Sequence, residues 1–549
     1  MSDFDIEKLL KQIKELEAEL KANKKYGLVW DKENIPEKVV EDCISNIPVL
    51  KPVHELDIKK GNLNNILIEG DNYHVLTTLN GVLMESIDVI YIDPPYNTGE
   101  KDFKYNDTYV NKEDAYYHSK WLNFMSKRLK LAKELLKPDG VILISIDEHE
   151  HSNLCLLCDS IFGQKVGEVI RKTRTVTGDS STSFNLQHEY CVIYCKRNAD
   201  VSLYGKEKSF EGYTNKDNDP NGPWVPADPS AKSGGASTYF PIENPYTHQV
   251  DYPPEGRYWA FSKSTFEMYV NSGRVVFKKE IKKGQRGFLF KRYQNKQENV
   301  FETLNSLDFI ENDYLNQVGT KEAKFFGFVN NIKYPKPTEY IKKLLLHCTK
   351  KDSLVMDFFA GSGTTGHAVL ELNKEDGGTR RFILCTNNEN NICIGTTQPR
   401  IKAVITGKKK DGTTFGKGIP ANLFYFKTDF VRDESNTEQA KYNLVEKVDA
   451  LLCIAEDIFI EKERNDYSSH YINDKRHLFI YNDYYNTQKF NEFKSRVLST
   501  EGERIVYVYS SDNTIDDTLI EGENIIVKPI PSKIYEIYKE IVEDIKRGK

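Results

Sequence analysis

The sequence has no run of roughly 18 apolar residues, and its first ten residues, MSDFDIEKLL, are acidic instead of basic. We therefore expect no membrane-spanning helix, no signal peptide and no membrane partner. The nine cysteines are odd in number and scattered over 549 residues, which favours free thiols in a reducing cytoplasm over a disulfide framework. Together these absences predict a cytoplasmic protein.

Two further motifs are missing. Cys155 and Cys158 form a CxxC in an apolar stretch that should be helical, but no second CxxC with nearby histidines accompanies it. The sequence therefore predicts no metal site. No glycine-rich loop ends in Lys followed by Ser or Thr, so a P-loop ATPase is excluded. The net charge of −6 argues against a surface coated by nucleic acid, although it permits a local basic cleft.

The length of 549 residues predicts two to four domains, and 39% apolar with 29% charged residues is typical of a globular protein. Residues 1–24 carry apolar side chains at helical spacing among Lys and Glu, which predicts an amphipathic helix. A helix this short needs a surface to pack on. It either docks on its own chain or contacts a second subunit, so a homodimer is one expectation.

The most informative stretch is Asp93, Pro94, Pro95 and Tyr96. The preceding residues 87–92 are β-branched or aromatic and predict a buried strand, which the two prolines end. In an open α/β sheet, ligands bind at the carboxyl ends of the strands. The Asp93 carboxylate and the Pro94 carbonyl can both accept hydrogen bonds from an exocyclic amine, and Tyr96 can stack on a planar base. The alternative is a strand followed by a proline-rich turn without a ligand.

The pattern around this stretch alternates between strand and helix. We expect strands at 65–69, 87–92 and 141–146, helices at 118–136 and 148–161, and a turn at Pro138, Asp139 and Gly140. This spacing predicts a parallel sheet with helices on its faces.

From residue 167 to 334 the α/β pattern gives way to Pro, Gly, Asn and aromatic residues. Within it, the bases Lys278, Lys279, Lys282, Lys283, Arg286, Lys291 and Arg292 stand against the single acid Glu280, near Trp224, Tyr258, Trp259, Phe288 and Phe290. Basic residues interleaved with aromatic ones indicate a nucleic-acid surface. A solvated charged loop is the alternative.

A second motif, DFFAGSGTTGHAV, follows a predicted helix at 338–349 and a strand at 353–358. Gly361, Gly363 and Gly366 allow a tight turn and a close approach of the backbone to a ligand. A dinucleotide site would need an acid at the end of the next strand, but residues 381–385 are followed by Thr386, Asn387 and Asn388. After residue 422, strands at 477–481, 505–509 and 525–529 and an amphipathic helix at 532–546 predict a second α/β region.

Together the two motifs resemble those of S-adenosylmethionine-dependent amino-methyltransferases of DNA, in the permuted order of the β class. KYGLVW, NLNNILIEGDNYHVL and HSKWLNFMSKRLKLAKELLKPDGVILISID extend the resemblance to the modification (Mod) subunits of type III restriction–modification systems. The resemblance covers residues 25–430 and is weaker beyond. It implies an α/β, Rossmann-like methyltransferase sheet with an inserted target-recognition region. The expected domains are an N-terminal helix (1–24), a methyltransferase core in two parts (25–166 and 335–421), a target-recognition region (167–334) and a C-terminal α/β domain (422–549).

The resemblance also implies a role for each matching residue. Asp93, Pro94, Pro95 and Tyr96 form the catalytic tetrapeptide, in which Tyr96 stacks on the flipped-out base. The cofactor residues would be Asp357, Phe358, Ala360, Gly361, Ser362, Gly363, Thr364 and Thr365, with Asp71 near the cofactor adenine. Many relatives have a ribose-binding acid where this sequence has Thr386, so Asn388 or Glu389 would substitute for it. Separately from the resemblance, the basic run itself predicts DNA contacts from Lys278, Lys279, Lys282, Lys283 and Arg286.

The implied reaction is methyl transfer to adenine N6 in double-stranded DNA after base flipping. Cytosine-N4 methylation on the same scaffold is one alternative. A DNA-binding specificity subunit that directs a nuclease partner is another, and Mod subunits combine it with methylation. A methyltransferase of RNA or protein is a third, which the large inserted region disfavours. A restriction subunit with helicase and nuclease activity is the implied partner.

Overall fold

A computed structural model describes residue 30 and residues 37–43, 46–175, 184–201, 203–295, 301–328, 334–432, 444, 445, 447–483, 487–509, 517–530 and 543. The predicted helices at 1–24 and 532–546 lie outside the described residues, apart from residue 543. None of the helices in this described part is both long and apolar enough to cross a membrane. All nine cysteines are free.

The largest element is a ten-stranded sheet. Its strands are β1 (Asn46–Pro52), β2 (Ile58–Lys59), β3 (Asn64–Glu69), β4 (Ile87–Ile92), β5 (Leu136–Ile146), β6 (Gly163–Lys172), β7 (His188–Lys196), β8 (Leu354–Asp357), β9 (Arg381–Thr386) and β10 (Asn422–Arg432). Their order is β1-β10-β3-β9-β8-β4-β5-β7-β6, with β2 paired to β10. The strands from β10 to β5 are parallel, and the antiparallel strands lie at the two edges. The predicted α/β class is confirmed.

Helices cover both faces of this sheet, because alternate strand residues point to opposite sides. On one face Ile90 and Ile142 pack with α1 (Asn72–Asn80), α2 (Tyr117–Leu135) and α3 (His151–Ile161). On the other face Val89 and Val141 pack with α4 (Thr338–Cys348), α5 (Thr364–Asp376) and α6 (Gln398–Thr406). Each face therefore has its own apolar core.

The parallel strands β4 and β8 are direct neighbours, with Val89 opposite Val355 and Ile90 opposite Met356. Asp93 follows the carboxyl end of β4, and Phe358 follows the carboxyl end of β8. The strand β3 ends at the same edge, beside β9. The prediction that the two motifs lie on adjacent strands is confirmed, and it places both at the ligand-binding edge.

Several predicted boundaries differ from the structure. Pro138, Asp139 and Gly140 lie within the long strand β5, where the pairing with β4 shifts register. The predicted recognition region, 167–334, begins too early and ends too late, since β6 and β7 extend the large sheet and the compact inserted unit is Gly205–Thr303. The core also continues past 421, because β10 pairs with β3 inside the sheet. The three strands β6, β7 and β10 belong to the large sheet but lie beside loop-like or composition-shifted stretches, so composition alone placed these limits wrongly.

The inserted unit, residues 205–303, has a small core of Ile242, Trp259, Phe261, Val275 and Phe288. Its strands are short, and one helix, Lys263–Asn271, packs with them. A three-stranded sheet contains Trp224–Pro226, Phe288–Tyr293 and Val275–Phe277, and two two-stranded sheets pair Ser230–Ala231 with Tyr258–Trp259 and Ile242–Glu243 with Val250–Asp251.

The C-terminal region has a separate five-stranded sheet, which agrees with the prediction of a second α/β region after residue 422. Its strands, in sheet order, are Ile460–Arg464, Ser468–Asn473, Arg476–Tyr481, Glu503–Val508 and Ile525–Pro529, and its helices are Asp449–Glu456 and Thr487–Ser499. The last three strands are parallel.

Candidate active site

One cavity of about 670 Å³ lies at the carboxyl ends of β3, β4, β8 and β9. Residues from both motifs line it. The lining includes Asp71, Asn72, Asp93, Pro94, Pro95, Phe358, Phe359, Gly361, Thr386, Asn387 and Glu389. Among the described lining residues, seven are acidic and three are lysines, so the cavity favours a cationic ligand.

The Asp93 carboxylate is held by two donors. The Tyr96 hydroxyl donates to Oδ1 at 2.7 Å, and Lys336 Nζ lies 2.8 Å from Oδ1 and 2.9 Å from Oδ2. Burial, followed by the charge of Asp93, raises the pKa of Tyr96 well above its usual range, so the hydroxyl keeps its proton. Tyr96 does not line the cavity in this conformation, and its stacking role stays a prediction.

The two proline carbonyls differ. Trp121 Nε1 donates to the Pro95 carbonyl at 2.7 Å, and Trp121 is fully buried in α2. Among the described residues, none donates a hydrogen bond to the Pro94 carbonyl. The fixed backbone therefore leaves Pro94 as the acceptor available beside Asp93 in the cavity.

The glycine turn after β8 is left-handed at two positions, Gly361 (φ +47°) and Gly363 (φ +76°). A Cβ atom at Gly361 would meet no atom closer than the Phe359 carbonyl at 3.7 Å, so a side chain there would extend into open space beside the cavity. At Gly363 a Cβ atom would lie 3.2 Å from the Thr397 side chain. The turn thus needs glycine for its conformation and, at Gly361, for the room it leaves.

The remaining residues of the second motif support this turn from within. Asp357 accepts bonds from Phe359 N (2.9 Å) and Thr365 Oγ1 (2.5 Å), and burial raises its pKa to about 7. Ser362 and Thr364 bond to each other and to the buried Arg400. These residues and Ala360 are buried and do not line the cavity, so direct cofactor contacts by them stay predictions.

Asp71 caps α1 by accepting a bond from Tyr73 N at 2.7 Å. The next residue, Asn72, donates to the Phe358 carbonyl at 3.2 Å and so joins the end of β3 to the second motif. The buried Arg128 braces this corner, because it bonds to Asn72 and forms a two-bond ion pair with Glu37. The corner is therefore fixed in position at the cavity wall.

The residues after β9 divide between the cavity and local structure. Thr386 and Glu389 line the cavity, and Glu389 forms an ion pair with Lys104, whose Nζ atom lies 2.9 Å from Oε2. The Asn388 side chain instead accepts a bond from Ile394 N at 3.1 Å, and Asn388 is not among the lining residues. Of the two predicted substitutes for the ribose-binding acid, Glu389 is the one at the cavity.

The predicted DNA-binding residues lie on a hairpin of the inserted unit. Lys279, Lys282 and Lys283 are exposed, whereas Lys278 and Arg286 are partly buried. Arg286 lies 3.6 Å from Asp228 and over the rings of Trp259 and Phe288.

Some of the basic and aromatic side chains on which the predicted nucleic-acid surface rested are buried inside the inserted unit. Lys291 is 3% exposed and pairs with Asp217 and Asp219. Trp259 and Phe288 belong to the apolar core of the unit. The prediction that these residues form part of a nucleic-acid surface is therefore wrong, because burial removes the charge and the ring faces from solvent.

Three buried residues behind Asp93 were not among the predicted site residues. Lys336, Glu189 and Arg171 are 7%, 5% and 0% exposed, and they form ion pairs with each other or with Asp93. Glu189 offered a signal, as an acid at the start of the apolar strand β7. Lys336 offered none, since it stands in an irregular stretch before α4.

The residues His151, Cys155 and Glu168 bring three potential metal-binding atoms together on α3 and β6. Lys165 Nζ already lies 2.9 Å from Glu168 and 3.6 Å from Cys155 Sγ. Its ammonium group supplies positive charge at that point, so we assign no metal to this cluster.

Comparison with known proteins places these features in context. Residues 87–398 match the family model described as DNA methylase. The chain is 34% identical over 393 residues to the type III restriction–modification enzyme StyLTI Mod subunit of Salmonella typhimurium (66% of this chain, 57% of that protein). It is 32% identical to the EcoPI Mod subunit of Escherichia phage P1 (70% and 67%) and 30% identical to the type II methyltransferase M.KpnI of Klebsiella pneumoniae (62% and 84%). The chain thus spans 57% of the length of the Salmonella relative.

Proposed function

The chain belongs to the DNA methylase family, and we propose that it transfers a methyl group from S-adenosylmethionine to adenine N6 at specific sites in double-stranded DNA. The observation that carries this proposal is the sharing of one cavity by Asp93 and Pro94, from the first motif, and Phe358 and Gly361, from the second.

The cavity suits the cofactor in size and charge. About 670 Å³ lies within the range of small-molecule sites. The acidic lining suits a molecule with a sulfonium and an ammonium group, and the missing side chain at Gly361 leaves room beside the motif. When bound, S-adenosylmethionine supplies an activated methyl group. Phe358 and Gly361 would hold its methionine part, while Asp71 and Glu389 would lie toward its adenosine part.

Asp93 and Pro94 would hold the target amine. The lone pair of adenine N6 is delocalised into the ring, and hydrogen bonds from both N–H groups to the Asp93 carboxylate and the Pro94 carbonyl favour the pyramidal nitrogen that can attack. Alignment with the methyl group then does most of the catalytic work. The base must leave the duplex to reach this edge, at a cost of a few kcal/mol.

Cytosine N4 presents the same amine, so the cavity alone also accepts cytosine. The tetrapeptide favours adenine, because it begins with Asp93 where cytosine-N4 enzymes more often have Ser.

The inserted unit would choose the DNA sequence. A restriction subunit, as for the Mod relatives, and a second copy of this chain are the proposed protein partners, in the cytoplasm.

The direct test is transfer of labelled methyl groups to duplex DNA, followed by identification of the modified base. Asp93→Ala should lower the single-turnover rate several hundredfold, equivalent to about 3–4 kcal/mol, by analogy with the loss of one preorganised catalytic hydrogen bond. Cofactor and DNA affinities should remain, because duplex affinity comes chiefly from phosphate contacts.

Asp352→Ala is the matched control, since Asp352 is an exposed acid that lies outside both the cavity and the tetrapeptide. A folded, cofactor-binding Asp93→Ala chain that methylates at the wild-type rate would contradict this mechanism. Labelled N4-methylcytosine in place of N6-methyladenine would contradict the assigned base.

A further inference from the structure

Lys336 is a buried lysine whose ammonium group points at the catalytic tetrapeptide. Its Nζ atom lies 2.8 Å and 2.9 Å from the two carboxylate oxygens of Asp93 and 2.8 Å from the Tyr96 hydroxyl. Lys336 is 7% exposed and is not among the lining residues of the cavity, whereas Asp93 is. The lysine therefore supports Asp93 from inside the protein and leaves the cavity to the ligand.

A second ion pair anchors the lysine. Glu189 Oε1 lies 3.4 Å from Lys336 Nζ and 2.8 Å from Arg171 Nε. Arg171 in turn donates to the Tyr314 carbonyl and to Asn316 Oδ1. Burial alone would raise the pKa of Glu189, but Arg171 and then Lys336 hold it below its usual value, so Glu189 remains an anion.

The four charges alternate in sign from Arg171 through Glu189 and Lys336 to Asp93. Buried ion pairs of this kind contribute little to stability, because desolvation offsets much of their attraction. They do fix geometry. This series of ion pairs ends on the Asp93 carboxylate at the cavity wall. Its role is therefore better explained as orienting that carboxylate than as stabilising the fold.

The hydrogen bonds define what Asp93 can still accept. Each carboxylate oxygen has two lone-pair positions. The Oδ1 atom already receives bonds from Tyr96 and Lys336, whereas Oδ2 receives one from Lys336. Within the part of the chain that the structure describes, one position on Oδ2 is left for a donor from the cavity. We propose that Lys336 is a positioning residue for methyl transfer, which holds Asp93 so that Oδ2 accepts the target amine; this inference rests on the proposed function.

The test compares Lys336→Met, Lys336→Gln and Lys336→Arg with the wild-type chain. Single-turnover methyl transfer to duplex DNA is measured at saturating S-adenosylmethionine, beside calorimetric cofactor affinity, DNA affinity and thermal melting. We expect the Met and Gln variants to lose about 100-fold or more in rate, the scale of losing one preorganised catalytic contact, with both affinities within about threefold of wild type. Lys336→Arg should restore part of the rate, because it keeps the cation. Lys342→Met is the matched control, since Lys342 pairs with Glu339 and Glu375 and does not contact Asp93.

The possible results separate cleanly. A folded Met or Gln variant with a rate within tenfold of wild type overturns the role of Lys336. So does a rate loss that only follows lost folding or lost cofactor binding, because that indicates a structural residue. If Lys336→Met does not fold, the Gln variant decides. A wild-type chain that transfers no methyl group to DNA contradicts the proposed function itself, and that measurement is made first.

Discussion

The large sheet and the inserted unit use charged side chains in opposite ways. Behind Asp93, the charges of Lys336 and Arg171 are buried and paired at fixed distances. On the hairpin of the inserted unit, Lys282 and Lys283 are exposed. Chemistry on one amine needs fixed acceptors, whereas attraction of a phosphate backbone needs only accessible positive charge. Under the proposed function, the sheet would carry the reaction and the inserted unit would carry DNA contacts.

The largest effect should come from filling the cavity of the large sheet. We expect Gly361→Leu to abolish cofactor binding, because a side chain there would extend beside the cavity and a left-handed φ of +47° disfavours leucine. Calorimetry with S-adenosylmethionine measures the effect, and thermal melting checks folding.

Gly377→Leu is the control for backbone strain. Gly377 is also left-handed, at φ +68°, but it ends α5 and has open space around its Cβ position. Unchanged cofactor affinity in Gly361→Leu would mean that the second motif does not bind the cofactor. The proposal that the large sheet carries the reaction would then lose its support.

The site could be predicted from sequence where it depends on strand ends. Asp93 and Phe358 each follow a short apolar strand, and parallel strands bring their carboxyl ends to one edge. Lys336 was not predictable, because its partner Asp93 is 243 positions away and no local pattern marks the contact. In the inserted unit the short strands carry no clear periodicity, so Lys291 and Trp259 could not be recognised as inward-facing.

The second prediction concerns the exchange of the inserted unit between relatives. Replacing Gly205–Thr303 with the corresponding unit of a Mod relative should change the methylated DNA sequence while cofactor affinity stays the same, because the cavity residues all lie outside this unit. Sequencing of methylated bases in host DNA measures the outcome. An unchanged recognition sequence would place specificity in another region and contradict the role proposed for the inserted unit.

A third prediction concerns the buried carboxyl group of Asp357. Its pKa in the folded chain is about 7 against an ordinary value of 3.8. Between these values the folded chain holds a proton that the unfolded chain has released, so this residue's contribution to stability falls as pH rises. Below pH 4 both states are protonated, and above pH 7 the loss is complete.

Asp357→Asn should therefore gain stability relative to wild type between pH 4 and 7, on the order of a few kcal/mol. Urea unfolding at several pH values measures this difference. Asp352→Asn is the control, because Asp352 is an exposed acid just before the same strand. A stability difference that does not vary with pH would mean that folding leaves the pKa of Asp357 unshifted, so that the core tolerates its charge.

The smallest effect should come from the exposed hairpin. Removing two phosphate-directed charges with Lys282→Gln and Lys283→Gln should weaken binding to all DNA sequences alike. The slope of log Kd against log salt should flatten by up to about 1.8, since each phosphate contact contributes roughly 0.9. The methyl-transfer rate at saturating DNA should stay unchanged, because neither lysine lines the cavity. The charge-matched control is Lys462→Gln with Lys475→Gln, two exposed lysines of the C-terminal sheet. If the hairpin variant kept the wild-type salt slope, or if the control flattened it equally, the hairpin would be an ordinary solvated loop and DNA affinity would have to come from other residues.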